Sequence, residues 1–176
     1  MGYFLASPWR RKRHHPEQLL QPYLAENMKV MDIGCGMGFF SLPMAKMVGG
    51  GGRVICIDLQ KQMIGALKKK ADKAGLSTQI ETRVCSKNSL QIADLSGQID
   101  FALAFGVVHE LPHPEHSLTE IKTALKKNGV LLIAEPSHHV TEEEFDLTMK
   151  IARNIGFQVK KHLDIKDCLA VLLEQT

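Results

Sequence analysis

The run Val30-Met31-Asp32-Ile33-Gly34-Cys35-Gly36-Met37-Gly38-Phe39-Phe40 constrains the chain more than any other. Met28 to Ile33 is a short apolar stretch interrupted by one acid, as in a strand buried on both faces of a parallel sheet. Glycines at 34, 36 and 38 then end it, letting the main chain turn sharply, take positive φ and bring bare amides close to a ligand. The apolar spacing of Phe39, Phe40, Leu42, Met44, Ala45, Met47 and Val48 predicts a helix next, with Pro43 tolerated in its first turn. Strand, glycine turn and helix N-terminus together make a cradle for a nucleotide-like ligand.

The dinucleotide fingerprint G-x-G-x-x-G would need glycine at position 39, where Phe39 stands, and this counts against NAD. A second strand, Arg53-Val54-Ile55-Cys56-Ile57-Asp58, ends in an acid where a ribose would lie, since one carboxylate can accept from both ribose hydroxyls. Asp32 to Gly38 and Val54 to Asp58 together resemble the class I S-adenosylmethionine-dependent methyltransferases, and most closely the branch that includes the ubiquinone/menaquinone biosynthesis methyltransferases. The resemblance spans Met28 to Glu135. It implies an α/β fold: a Rossmann-like, doubly wound, mostly parallel sheet of seven strands in the order 3-2-1-4-5-7-6, its last hairpin antiparallel, with helices on both faces. It also implies S-adenosyl-L-methionine as cofactor, S-adenosyl-L-homocysteine as product and methyl transfer as the activity. By the same resemblance Asp32 and the main chain of Gly34 and Gly36 hold the amino-acid portion of the cofactor, Asp58 holds the ribose and Leu59 packs on the adenine. Ser86, or its neighbour Cys85, stands where the family carries an acid for the adenine amine, and Phe105 is a further cofactor contact.

The rest of the chain alternates strand and helix patterns. A short helix is expected from Pro16 to about Glu26, a helix from Gln60 to Ala74 stopped by Gly75, and strands at Thr78–Cys85 and Ile99–Phe105. A helix from Pro114 to Lys126 ended by Asn128-Gly129, a strand from Val130 to Glu135 and a capped helix from Thr141 to Asn154 follow. Phe157–Leu163 and Cys168–Glu174 lie too close together for a crossover, so they read as an antiparallel hairpin. With 176 residues, the expectation is an irregular basic arm over residues 1–15 and one domain over 16–176.

Net charge is mild, +3, and much of it sits in Arg10-Arg11-Lys12-Arg13, which reads either as a solvated segment or as a contact for phosphate, RNA or an acidic partner. No apolar run approaches the ~20 residues of a membrane span, and the four cysteines form no C-x-x-C pair, so a cytoplasmic protein with reduced thiols is expected. Cys35, inside the glycine turn, is the thiol expected to be accessible.

Past the fourth strand, His109-Glu110-Leu111-Pro112-His113 matches the H-E-x-x-H zinc signature, but that site needs one continuous helix, which Pro112 opposes; no metal is expected. His109 reads either as a general base for a methyl acceptor or as a residue that lines the pocket or bonds the backbone. Phe105-Gly106-Val107-Val108 is unlike the Asn/Asp-Pro-Pro-aromatic motif of enzymes that methylate amino groups of nucleic acids, and the Pro-Cys nucleophile of RNA cytosine-C5 enzymes is missing. A small-molecule acceptor is therefore expected, with nucleic acid disfavoured. With no insertion of lid size, the acceptor would be roofed by the N-terminal arm, by a second subunit in a homodimer, or by itself. The competing reading is a protein that keeps the fold and the cofactor site without turnover.

Overall fold

A computed structural model describes residues 15–175; the Arg10–Arg13 cluster and the rest of the expected arm except His15 fall outside them. The chain forms two compact units, divided between Val84 and Cys85. The strand order along the seven-stranded sheet is β3-β2-β1-β4-β5-β7-β6, as the resemblance implies.

The N-terminal unit carries α1 (Pro16–Leu20), β1 (Lys29–Ile33), α2 (Ser41–Val48), β2 (Arg53–Asp58), α3 (Lys61–Ala74) and β3 (Ile80–Val84). β2 lies between β1 and β3 and runs parallel to both. Val30, Met31, Val54, Ile55, Cys56 and Ile57 are fully buried, which is what an unbroken apolar run means in a parallel strand covered on both faces. α1 stops at Leu20, short of the expected Glu26, because Pro22 has no amide to extend the helical ladder; a turn closed by Tyr23 N–H on Leu20 O follows. α3 ends as its sequence requires, at Gly75 in the left-handed region with φ 68°.

The C-terminal unit carries β4 (Ile99–Phe105), α4 (Pro114–Ala124), β5 (Leu125–Pro136), α5 (Glu142–Asn154), β6 (Phe157–Ile165) and β7 (Cys168–Gln175). β4 and β5 are parallel, while β7 pairs antiparallel with both β5 and β6, so the expected final hairpin is present. Thr141 and Glu144 form the reciprocal capping box read from the sequence. One expectation fails at α4: Asn128-Gly129 does not end it. The helix stops at Ala124, and Leu125, already extended at φ −67° and ψ 142°, pairs with Ile99. Gly129 then sits at an irregularity in the β4–β5 pairing, where a Cβ would lie 2.8 Å from the Ile99 carbonyl oxygen, so it serves close approach of two strands.

Candidate active site

The N-terminal unit holds five of the expected residues, Asp32, Gly34, Gly36, Asp58 and Leu59, in and around the glycine turn. Asp58, the last residue of β2, is 8% exposed, and each of its carboxylate oxygens accepts a main-chain amide: Oδ2 from Gly36 and Oδ1 from Gln60, both at 2.8 Å. The strand-end acid therefore fixes both the glycine turn and the entry to α3. Gly34 N–H and Cys35 N–H are donated to Ile57 O, and Gly38 N–H to Cys35 O. The amides of Gly34 and Gly36, expected to be bare, are thus already spent within the protein. The main-chain carbonyl oxygens of this turn would attract an ammonium and repel a phosphate.

Gly36 has φ 52°, and a Cβ built on it would meet nothing within 4 Å. Open space therefore stands against the main chain beside the Asp58 carboxylate. An ionised carboxylate has about four lone-pair sites, of which the two amides use two, so both oxygens retain capacity for a vicinal diol. Gly38 is different: at φ 85° its Cβ would run into the Leu67 side chain, so its lack of a side chain serves packing of the turn on α3.

Asp32 is 3% exposed at the end of β1 and accepts a 2.5 Å hydrogen bond from the buried Ser41 hydroxyl, tying the strand to the first residue of α2. Leu59, directly after Asp58, is a large apolar side chain left 47% exposed, as a platform for a flat ring would be. Cys35 is not the accessible thiol expected of it. It is buried, and a hydrogen bond with Cys56 together with burial pushes its thiol well above the usual range, so it is no nucleophile at neutral pH. All four cysteines are free.

The C-terminal unit holds the remaining expected residues. Ser86 is exposed, and its hydroxyl closes its own turn, donating to Ser89 O and accepting from the amides of Asn88 and Ser89 at 3.2–3.3 Å. Cys85, the first residue after β3, is half-buried. Phe105 ends β4 largely buried, and Gly106 follows with its N–H on Ala134 O.

His109 lies on a single 3-10 turn, Val108–Glu110, after which Leu111 is extended and α4 begins only at Pro114. His109 and His113 therefore do not share a helix, and the geometry of an H-E-x-x-H site is not built. What His109 does share is a carboxylate that the sequence patterns did not single out. Glu135, near the end of β5 and 2% exposed, takes the His109 Nδ1 on Oε2 and the Val108 amide on Oε1, the latter at 2.7 Å. Burial pushes the Glu135 carboxyl above the ordinary glutamate range, while the bond from His109 and the amides of Val108 and Val107 pull it back. Glu110, mostly exposed, stands 4.0 Å from His109 Nε2, and the ring of His139 stacks parallel to that of His109 with centroids 6.1 Å apart. The signal for Glu135 was present: one acid directly after the apolar run Val130 to Ala134 and before Pro136, in the place Asp58 holds on its own strand. A separate open hollow of about 600 Å³ near the start of α4, between Pro112, His116 and Ile151, includes neither Glu135 nor His109.

A strand-end acid clamped to a glycine turn stands within the strand order of a doubly wound α/β domain. The chain matches the family described as methyltransferase domain over residues 24–170 and belongs to it; its class is that of the S-adenosylmethionine-dependent methyltransferases of class I type. It is 28% identical to a SAM-dependent methyltransferase from Aquifex aeolicus of known crystal structure, with a TM-score of 0.87, covering 98% of this chain and 96% of that one. Curated relatives are a ribosomal protein L11 methyltransferase from Dictyoglomus turgidum, 26% identical over 89% of this chain, and a demethylmenaquinone methyltransferase from Lactobacillus johnsonii, 27% identical over 83%. The chain spans only 48% and 62% of the lengths of these two relatives. Among the described residues no helix is long and apolar enough to cross a membrane.

Proposed function

We propose that the chain transfers a methyl group from S-adenosylmethionine to a small-molecule acceptor. The observation that carries this reading is the Asp58 carboxylate held on the Gly36 amide beside open space at Gly36. In it Asp58 accepts the ribose hydroxyls, Leu59 carries the adenine, and Asp32 with the carbonyls of Gly34 and Gly36 meets the ammonium of the methionine portion. With the amides of Gly34 and Gly36 spent within the protein, their carbonyls suit that cation better than a pyrophosphate. Ser86 and Phe105 are lesser contacts in this reading, since the Ser86 hydroxyl closes a turn and Phe105 is largely buried.

Bound cofactor supplies a methyl group on a sulfonium, a good leaving group, so in-line positioning accounts for much of the rate. His109 Nε2 takes the proton from the acceptor heteroatom as its lone pair forms the new bond to carbon. The names of the quinone-pathway relative and of the ribosomal-protein relative point to different acceptors. Phe105-Gly106-Val107-Val108 after β4, unlike the motif of enzymes that methylate amino groups of nucleic acids, supports the small molecule over nucleic acid. Four free thiols fit a reducing compartment.

Incubation with radiolabelled S-adenosylmethionine and a cell extract, followed by separation by mass, tests the reading. Label should collect in the low-mass fraction. Label confined to protein would replace the acceptor class, and no transfer over the heat-killed control would leave a cofactor-binding protein without turnover.

A further inference from the structure

Glu135 is a costly residue to keep: an acid 2% exposed, at the end of a strand that is otherwise apolar from Val130 to Ala134. Its two oxygens are used differently. Oε1 accepts the Val108 amide, which can only donate, and Oε2 meets His109 Nδ1, which can donate or accept according to tautomer. We propose that Glu135 is a positioning residue that holds His109 as the Nδ1–H tautomer, so that the unprotonated Nε2 faces outward as the proton acceptor. The inference rests on the reading of His109 as the base.

Three features carry it. Because the Val108 amide claims one oxygen, the carboxylate cannot rotate away from the ring. The second is the ring of His139, which stands parallel to that of His109 with centroids 6.1 Å apart. Third, the His109 side chain is 28% exposed while Glu135 is 2% exposed, so the edge bearing Nδ1 is turned toward the interior and the opposite edge is the accessible one. The titratable groups facing His109 are Glu135 from β5, His139 from the segment after β5 and Glu110 from its own turn at 4.0 Å from Nε2. Of these only Glu135 is hydrogen-bonded to the ring. A simpler role, in which Glu135 merely caps the Val108 amide, makes a different prediction, because an amide side chain caps that N–H equally well.

Glu135→Gln separates the two. Its carbonyl oxygen must take the Oε1 position to accept from Val108, which leaves the NH₂ group against Nδ1; that group can only donate, so neutral His109 is forced into the Nε2–H tautomer. The measurement is two-dimensional ¹⁵N NMR of histidine-labelled protein at a pH where the imidazole is neutral, His109 being identified by its loss in His109→Gln. Wild type should show a protonated Nδ1 and a bare Nε2, the two signals should exchange in Glu135→Gln, and Glu135→Asp should restore the wild-type pattern in part. Binding of S-adenosylhomocysteine, measured by calorimetry, should stay within about twofold in all three, while label transfer to the extract acceptor falls on the order of 100-fold or more in Glu135→Gln. Wild type with Nε2–H, or Glu135→Gln with an unchanged tautomer, overturns the proposal. If Glu135→Gln does not fold, the wild-type spectrum alone decides. Failure of the wild type to bind cofactor or transfer label would overturn the methyltransferase reading and leave the tautomer result standing on its own.

Discussion

Asp58 and Glu135 are the same kind of residue in the same kind of place, and their partners make them different devices. Each is a carboxylate at the carboxyl end of a buried parallel strand, 8% and 2% exposed, and each accepts a main-chain amide from the turn its unit uses. Both oxygens of Asp58 rest on amides, which can only donate. One oxygen of Glu135 rests on an imidazole nitrogen, which donates or accepts according to tautomer. In our reading the first acid serves recognition and the second orients the base.

The strongest way to break that comparison is to remove the recognition acid. Asp58→Ala deletes two hydrogen bonds to the ribose in our reading and also releases the Gly36 and Gln60 amides that shape the turn. With charge-assisted bonds at about 1.5 kcal/mol or more each, affinity for S-adenosylhomocysteine should fall on the order of 100-fold in calorimetry. Asp58→Asn should be nearly as damaging, because its NH₂ group must oppose one of the two donor amides. The His109 tautomer should not move in either variant. Retention of wild-type affinity in Asp58→Ala would remove the ribose assignment.

A smaller effect is expected at Gly36, where two costs can be told apart. An alanine there must hold φ near 52°, at about 1–2 kcal/mol, but its Cβ meets no protein atom. Gly36→Ala should therefore lower the unfolding free energy by about that amount and weaken cofactor binding by more, roughly tenfold beyond the loss of stability, because the new methyl occupies the ligand's space. Gly38→Ala should behave in the opposite sense, losing mostly stability through its collision with Leu67. Thermal unfolding and calorimetry on the same two variants check both.

The N-terminal unit was more legible in the sequence than the C-terminal one, and the reason is the range of the interactions. Asp32, Gly36 and Asp58 sit on a local pattern of strand, glycine turn and strand, whose spacing declares the turn before any contact is known. Even there the fate of the amides was hidden: that Gly36 N–H is taken by Asp58 depends on a contact across 22 positions. Glu135 lies 26 positions from His109, and only the parallel pairing of β4 with β5 brings the two segments together. The helix end misread at Ala124 has the same origin, since Leu125 is drawn into strand pairing with Ile99 that local propensity does not contain, whereas the one at Leu20 was local, set by Pro22. Cys35 was misjudged because a glycine turn suggests exposure, whereas its thiol is packed against Cys56.

The smallest effect is a pH dependence of stability expected from Glu135. The folded state raises the Glu135 carboxyl above its ordinary value of 4.5, chiefly by burial, so between 4.5 and the raised value the folded chain binds more protons than the unfolded one. The contribution of this group to stability is then full below about pH 4.5 and is lost as pH rises through the folded value. Glu135→Gln cannot titrate. Its stability relative to wild type should therefore improve as pH is raised from 4 toward 7, by about 1.4 kcal/mol for every pH step of one between the ordinary and the raised value, whatever fixed cost the altered bond to His109 imposes. Denaturant unfolding of both proteins across that range measures the difference. A gap that is flat with pH, or that widens against the variant, would mean that the His109 bond and the amides outweigh burial.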